Sequence, residues 1–139
     1  SLHVTLAFLG HRPEEHADAV ADVLLGLEDR PAPALSLGAA LLLPPRRARV
    51  LTVAVVDADG TLGRLQAAVS GALAAAGLYE PEARPFRPHV TLARDVRSVR
   101  DGLTWEPFPW PVARVDLVES VSTPEGVVYR PLTAAETPS

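Results

Sequence analysis

The pentapeptide His3-Val4-Thr5-Leu6-Ala7 returns unchanged as His89-Val90-Thr91-Leu92-Ala93. Each copy alternates polar or small residues with large apolar ones, the period-two signature of a half-buried strand. Residues two apart in a strand share a face. His3 and Thr5 therefore share one face, as do His89 and Thr91, while Val4, Leu6, Val90 and Leu92 take the core side. Copies so far apart are not a short-period solenoid. They predict two half-domains that each present the same strand. Side by side, those strands would turn two imidazoles and two hydroxyls toward one cleft.

Outward from the first copy, Gly10 ends the strand and Pro13-Glu14-Glu15 suits a first helical turn. Ala17, Val20, Ala21, Leu24 and Leu27 recur at helical spacing, and Pro31 to Pro33 closes that helix. Leu35 to Leu43 and Val50 to Val56 read as strands joined by Pro44-Pro45-Arg46-Arg47-Ala48-Arg49. Asp57 to Gly60 is a turn. Leu62, Leu65, Val69, Leu73 and Ala76 form a second helical stripe, with Gly77 suited to follow the helix end. Pro81 to Pro88 is irregular.

Beyond the second copy, Arg97 to Pro111 reads as a long loop holding Trp105, Phe108 and Trp110 among prolines. Val112 to Val121 and Val127 to Leu132 form a hairpin around Thr123-Pro124-Glu125-Gly126. Two helices interleaved with at least six strands predict one α+β domain over residues 1–133, with 134–139 a frayed tail.

The 139 residues suit one domain with a sizeable core. A 47% apolar and 22% charged composition is globular. The net charge of −4 argues against a broad basic surface for gripping a duplex. The chain has no cysteine, which excludes disulfides, zinc-thiolate sites and thiol nucleophiles. It has no lysine either, which excludes a lysine nucleophile. No segment is long enough to span a membrane, since Leu35 to Leu43 is broken by Ser36 and Gly38. A cytoplasmic monomer without membrane partners is the expectation.

Two histidines with two threonines suit phosphodiester cleavage. Hydrolysis needs a base for the nucleophile's proton and an acid for the leaving oxygen. Histidine titrates near neutrality, so one ring can be neutral and the other protonated. A threonine hydroxyl can donate to a non-bridging phosphate oxygen as charge develops there. The scheme requires no metal and no cofactor. A single His-x-Thr in a strand would ordinarily be packing; its exact repetition is what favours a functional pair.

The sequence resembles the two-histidine phosphoesterases, and within them the RNA 2′,3′-cyclic phosphodiesterases, also called 2′-5′ RNA ligases. The resemblance rests on His3-Val4-Thr5-Leu6 continuing as Ala7-Phe8-Leu9-Gly10. It rests also on His89-Val90-Thr91-Leu92 set within Arg84-Pro85-Phe86-Arg87-Pro88 and Arg94, and on the Ser120…Gly126…Tyr129 hairpin. It implies a bilobal α+β fold with pseudo-two-fold symmetry, two antiparallel sheets around a central cleft, and outer helices. It also implies a strand and a helix ahead of the first motif, whereas the sequence given begins two residues before that motif.

The activity implied is hydrolysis of RNA 2′,3′-cyclic phosphate ends to 2′-phosphates, with reversible 2′-5′ ligation as a companion reaction. His89 is then the base, His3 the acid, and Thr5 and Thr91 hold phosphate oxygens. Two alternatives stay open. One is the same chemistry on a small nucleotide such as ADP-ribose 1″,2″-cyclic phosphate. The other is a non-catalytic module that binds RNA ends.

Four further residues are candidates for substrate contact. The resemblance implies a phosphate-binding arginine at Arg94. Strict alternation puts Arg94 on the core face and favours Arg87, unless a bulge after Leu92 turns Arg94 back. Phe86 and Tyr129 are candidates for stacking on a base, against the plainer reading that they pack. Trp105, Phe108 and Trp110 could line a groove. Arg46, Arg47 and Arg49 form the basic cluster of a hairpin loop. His11 and His16 lie beside the first helix without metal-site spacing.

Overall fold

In the computed structural model the described residues are 3–27, 30–43, 50–94, 108–111 and 114–136. They form two helices, α1 (His16–Leu25) and α2 (Thr61–Ala75), and six strands. The strands are β1 (Ala34–Leu43), β2 (Val50–Val56), β3 (His89–Arg94), β4 (Phe108–Pro111), β5 (Arg114–Thr123) and β6 (Gly126–Glu136). One antiparallel sheet runs β3-β2-β1-β4, and β5 pairs with β6 in a second. This is the α+β architecture expected from the sequence.

The helices bury the stripes their spacing predicts. Val20 and Leu24 of α1, and Leu65, Val69 and Leu73 of α2, join Leu27 and Leu78 in one apolar cluster. Val115 and Leu117 of β5 pack against it. Leu62 of α2 lies in a second cluster with Leu35, Leu37, Val53, Val55 and Val90. The four-stranded sheet thus has a core face, carrying Val53 and Val90 at 1% exposure each, and an opposite face.

Both ends of α2 are fixed by identifiable groups. Asp57 accepts the Leu62 N–H at 3.0 Å on one carboxylate oxygen and the Gly63 N–H at 2.8 Å on the other. Those are donors a helix start leaves unsatisfied. Asp59 accepts the Thr61 N–H at 2.9 Å, a bond that holds its carboxyl below the ordinary value. The stability this bond supplies is present above the unfolded pKa and lost as pH falls through the lowered folded one. At the other end Gly77 has φ 73°. Leu78 donates to the Leu73 carbonyl and Gly77 to that of Ala74, and buried Leu78 packs with Leu73. The left-handed residue that lets the chain double back is the glycine singled out in the sequence. Asp57→Ala is expected to lower stability by about 1–2 kcal/mol, the cost of an N-terminal cap, as a shift in urea midpoint without a change of slope.

Three expectations need correction. Phe108 to Pro111, read as loop, is an edge strand paired to Ala34–Leu37. Prolines alternating at 109 and 111 leave their missing N–H groups free to lie along the outer edge, where a strand tolerates them. The tail is not frayed from residue 134: β6 runs to Glu136, with Ala134, Ala135 and Glu136 paired to Asp116, Val115 and Arg114. The first pentapeptide is not a full strand. It makes one antiparallel bridge, Val4 to Val90, and further on the Leu6 carbonyl accepts an N–H from the Gln66 side chain of α2 instead of a strand partner. Trp105, Arg46, Arg47 and Arg49 lie outside the described residues.

Candidate active site

The Val4–Val90 bridge sets the two pentapeptides side by side and antiparallel. Continued one residue each way, this register places His3 opposite Thr91 and Thr5 opposite His89. Val90 is buried in the core and Val4 packs against the same cluster, so alternation along β3 puts His89 and Thr91 on the other face, the face to which the bridge register assigns His3 and Thr5. His3 and Thr5 are exposed there, and His89 and Thr91 half-buried. The histidines occupy diagonal corners of this rectangle, related by a local two-fold through the valine pair. Diagonal cross-strand neighbours stand about 7–8 Å apart, their Cβ atoms somewhat closer, a span that a phosphate group between two imidazoles can bridge.

His89 is oriented by its own chain. Its Nδ1 lies 2.9 Å from the Arg87 carbonyl oxygen. A carbonyl only accepts, so Nδ1 carries the proton in this bond. In the neutral ring the lone pair then belongs to Nε2, which makes Nε2 the basic atom. No sequence signal marked Arg87 for this work, because the group that acts is its backbone oxygen. The Arg87 side chain itself is exposed.

The ladder between β2 and β3 decides the register of Arg94. Ala54, Val53 and Thr52 pair with His89, Val90 and Thr91, but Leu51 then pairs with Ala93 and Val50 with Arg94. Leu92 is the surplus residue of a β-bulge. Thr52 and Val50, two apart on β2, share a face, so Arg94 takes the register position of the His89 and Thr91 face. Strict alternation favoured Arg87; the bulge meets the condition named for Arg94. Thr52 itself has 0% exposure on that face, directly beside Thr91.

Phe86 is half-buried and packs against the cluster of Val53, Val55 and Val90, so its ring is engaged in the core. Tyr129 lies on β6 opposite Ser120. Phe108 and Trp110 lie on edge strand β4 opposite Leu37 and Leu35. His11 is exposed and His16 half-buried near the start of α1. Among the described residues no three His, Asp or Glu side chains converge as a metal site would require, and no helix is long and apolar enough to cross a membrane.

A His-x-Thr segment bridged antiparallel to a His-x-Thr strand frames the site, and comparison with known proteins gives the family of the chain. Residues 1–124 match the 2′-5′ RNA ligase superfamily, and the chain belongs to that family. It is 36% identical to an RNA 2′,3′-cyclic phosphodiesterase of Thermus thermophilus, over 92% of this chain and 68% of that protein. It is 29% identical to a protein of the same description from Aeropyrum pernix, over 95% of this chain and 80% of that one. Among solved structures, E. coli LigT complexed with 3′-AMP superposes with a TM-score of 0.79 at 26% identity, covering all of this chain and 78% of LigT.

Proposed function

We propose that this chain hydrolyses RNA 2′,3′-cyclic phosphate ends to 2′-phosphates without a metal, using His89 as base and His3 as acid. The observation that carries the reading is the antiparallel bridge between the two pentapeptides. That register supports a reading with both His-Thr pairs on one face. The relatives described as RNA 2′,3′-cyclic phosphodiesterases supply the substrate class.

The bonds balance as follows. Water attacks phosphorus as its proton passes to Nε2 of neutral His89, whose Nδ1–H is held by the Arg87 carbonyl. The bond from phosphorus to the 3′-oxygen breaks, and that oxygen takes a proton from protonated His3. The products are a 2′-phosphate and a 3′-hydroxyl. Thr5 and Thr91 donate to the non-bridging oxygens, whose charge grows in the transition state. With a 5′-hydroxyl in place of water, the same steps form a 2′-5′ linkage.

The test is an assay of cyclic mononucleotides, oligonucleotides with cyclic ends and ADP-ribose 1″,2″-cyclic phosphate, each with excess chelator. Cleavage of RNA ends to the 2′-phosphate, undiminished by chelation, is the expected result. Turnover abolished by the chelator and restored by a divalent ion would remove the metal-free claim. Exclusive cleavage of the ADP-ribose compound would redirect the substrate.

The register of Arg94 supports it, in preference to Arg87, as the phosphate-binding arginine of this proposal. Arg94→Met is expected to raise KM at least tenfold, since a hydrogen bond to a charged group contributes about 1.5–3 kcal/mol. Arg87→Met keeps the backbone oxygen and is expected to leave KM within about twofold, as an exposed side chain without a pairing role does. Steady-state kinetics of the two variants side by side decides between them.

A further inference from the structure

The first pentapeptide must hold His3 and Thr5 in register with β3, and among the described residues the Val4 to Val90 bridge joins it to that strand. Leu6, two residues on, is a further anchor. Its side chain packs against both apolar clusters. Its carbonyl accepts a hydrogen bond from the Gln66 side-chain amide at 3.2 Å, across 60 residues of sequence.

Gln66 stands on a fixed platform. It follows Leu65 and precedes Val69 on α2, both 3% exposed, and Asp57 ties down the start of that helix. It is a half-buried polar residue on the inward side of an otherwise apolar stripe. Glutamine's acceptor oxygen could not serve a carbonyl, so the amide presents its N–H.

We infer that Gln66 is a positioning residue for the first His-x-Thr copy: its amide clamps the Leu6 carbonyl and so sets where His3 and Thr5 stand relative to His89 and Thr91. The inference rests on the proposed function for its kinetic consequence, but not for its structural one. Misplacement of a reacting group by about 1 Å costs up to 10²-fold in rate. A core residue that only stabilises the fold would not change kcat in the folded fraction.

Two variants separate these cases. Gln66→Met keeps length and helix propensity but removes the donor; Gln66→Lys keeps a long donor. In the methionine variant kcat for a 2′,3′-cyclic nucleotide is expected to fall about tenfold, with KM nearly unchanged and the melting transition well above the assay temperature. The lysine variant should recover most of the loss. Amide hydrogen exchange should quicken across residues 4–8 and not across 89–94. An unchanged kcat in folded Gln66→Met protein overturns the inference, as does exchange that quickens equally in both segments. If the wild-type protein fails to cleave any cyclic phosphate, the proposed function falls. Exchange across residues 4–8 then still decides whether Gln66 positions this segment.

Discussion

His89→Ala is expected to lower kcat for a 2′,3′-cyclic phosphate end by about 10³-fold, within the ~10²–10⁴ range that general acid–base catalysis supplies. The loss should come with little change in fold. His89 is half-buried, and the hydrogen bond it gives up ends on a backbone carbonyl with a second lone pair available to water. KM should change little, because the threonines and Arg94 are untouched. His3→Ala is expected to fall comparably, since acid and base share one displacement. The double variant should lose far less than the product of the two factors, because groups that act as a unit are not additive. Rapid quench at saturating substrate measures the chemical step directly. Full turnover by His89→Ala would refute the assignment of His89 as base.

Val90→Asp is the substitution expected to damage stability most. Val90 has 1% exposure, packs with Val53, Val55 and Leu62, and opposes Val4 across the bridge. A carboxylate there has no cation among the apolar residues of its cluster. Burying it unpaired costs several kcal/mol, a large part of the ~5–15 kcal/mol that holds a domain together. Loss of the cooperative urea transition, or a midpoint near zero denaturant, is the expected reading by circular dichroism. A wild-type midpoint would mean that Val90 is not in the core, and would undo the face assignment of His89 and Thr91.

Much of this was legible in the chain. The repeated pentapeptide marked Val4 and Val90 as core, and both pack in one cluster. The spacing of Val20 and Leu24, and of Leu62, Leu65, Val69 and Leu73, marked the helices, and Gly77 marked an end. What escaped did so for physical reasons. The pairing of β4 was hidden by its prolines, which lower strand propensity but do no harm at an edge. The role of Arg87 is carried by an atom common to every residue. Gln66 did leave a trace: on a stripe of Leu62, Leu65, Val69 and Leu73 it is the polar residue at inward spacing. The bulge was named in the sequence as a condition, but only pairing with β2 could meet it.

The two copies share five letters but not one backbone role. In the first, Leu6 is a core anchor to two clusters; in the second, Leu92 has no ladder partner of its own. After the fifth letter the copies diverge, to exposed Phe8 in one and to Arg94 in the other. A cyclic phosphodiester is itself lopsided, with water arriving on one side of phosphorus and a sugar oxygen departing on the other. A perfectly mirrored pair of strands would have no means of telling arrival from departure. The surplus leucine is one place where the duplicated segment stops being a duplicate.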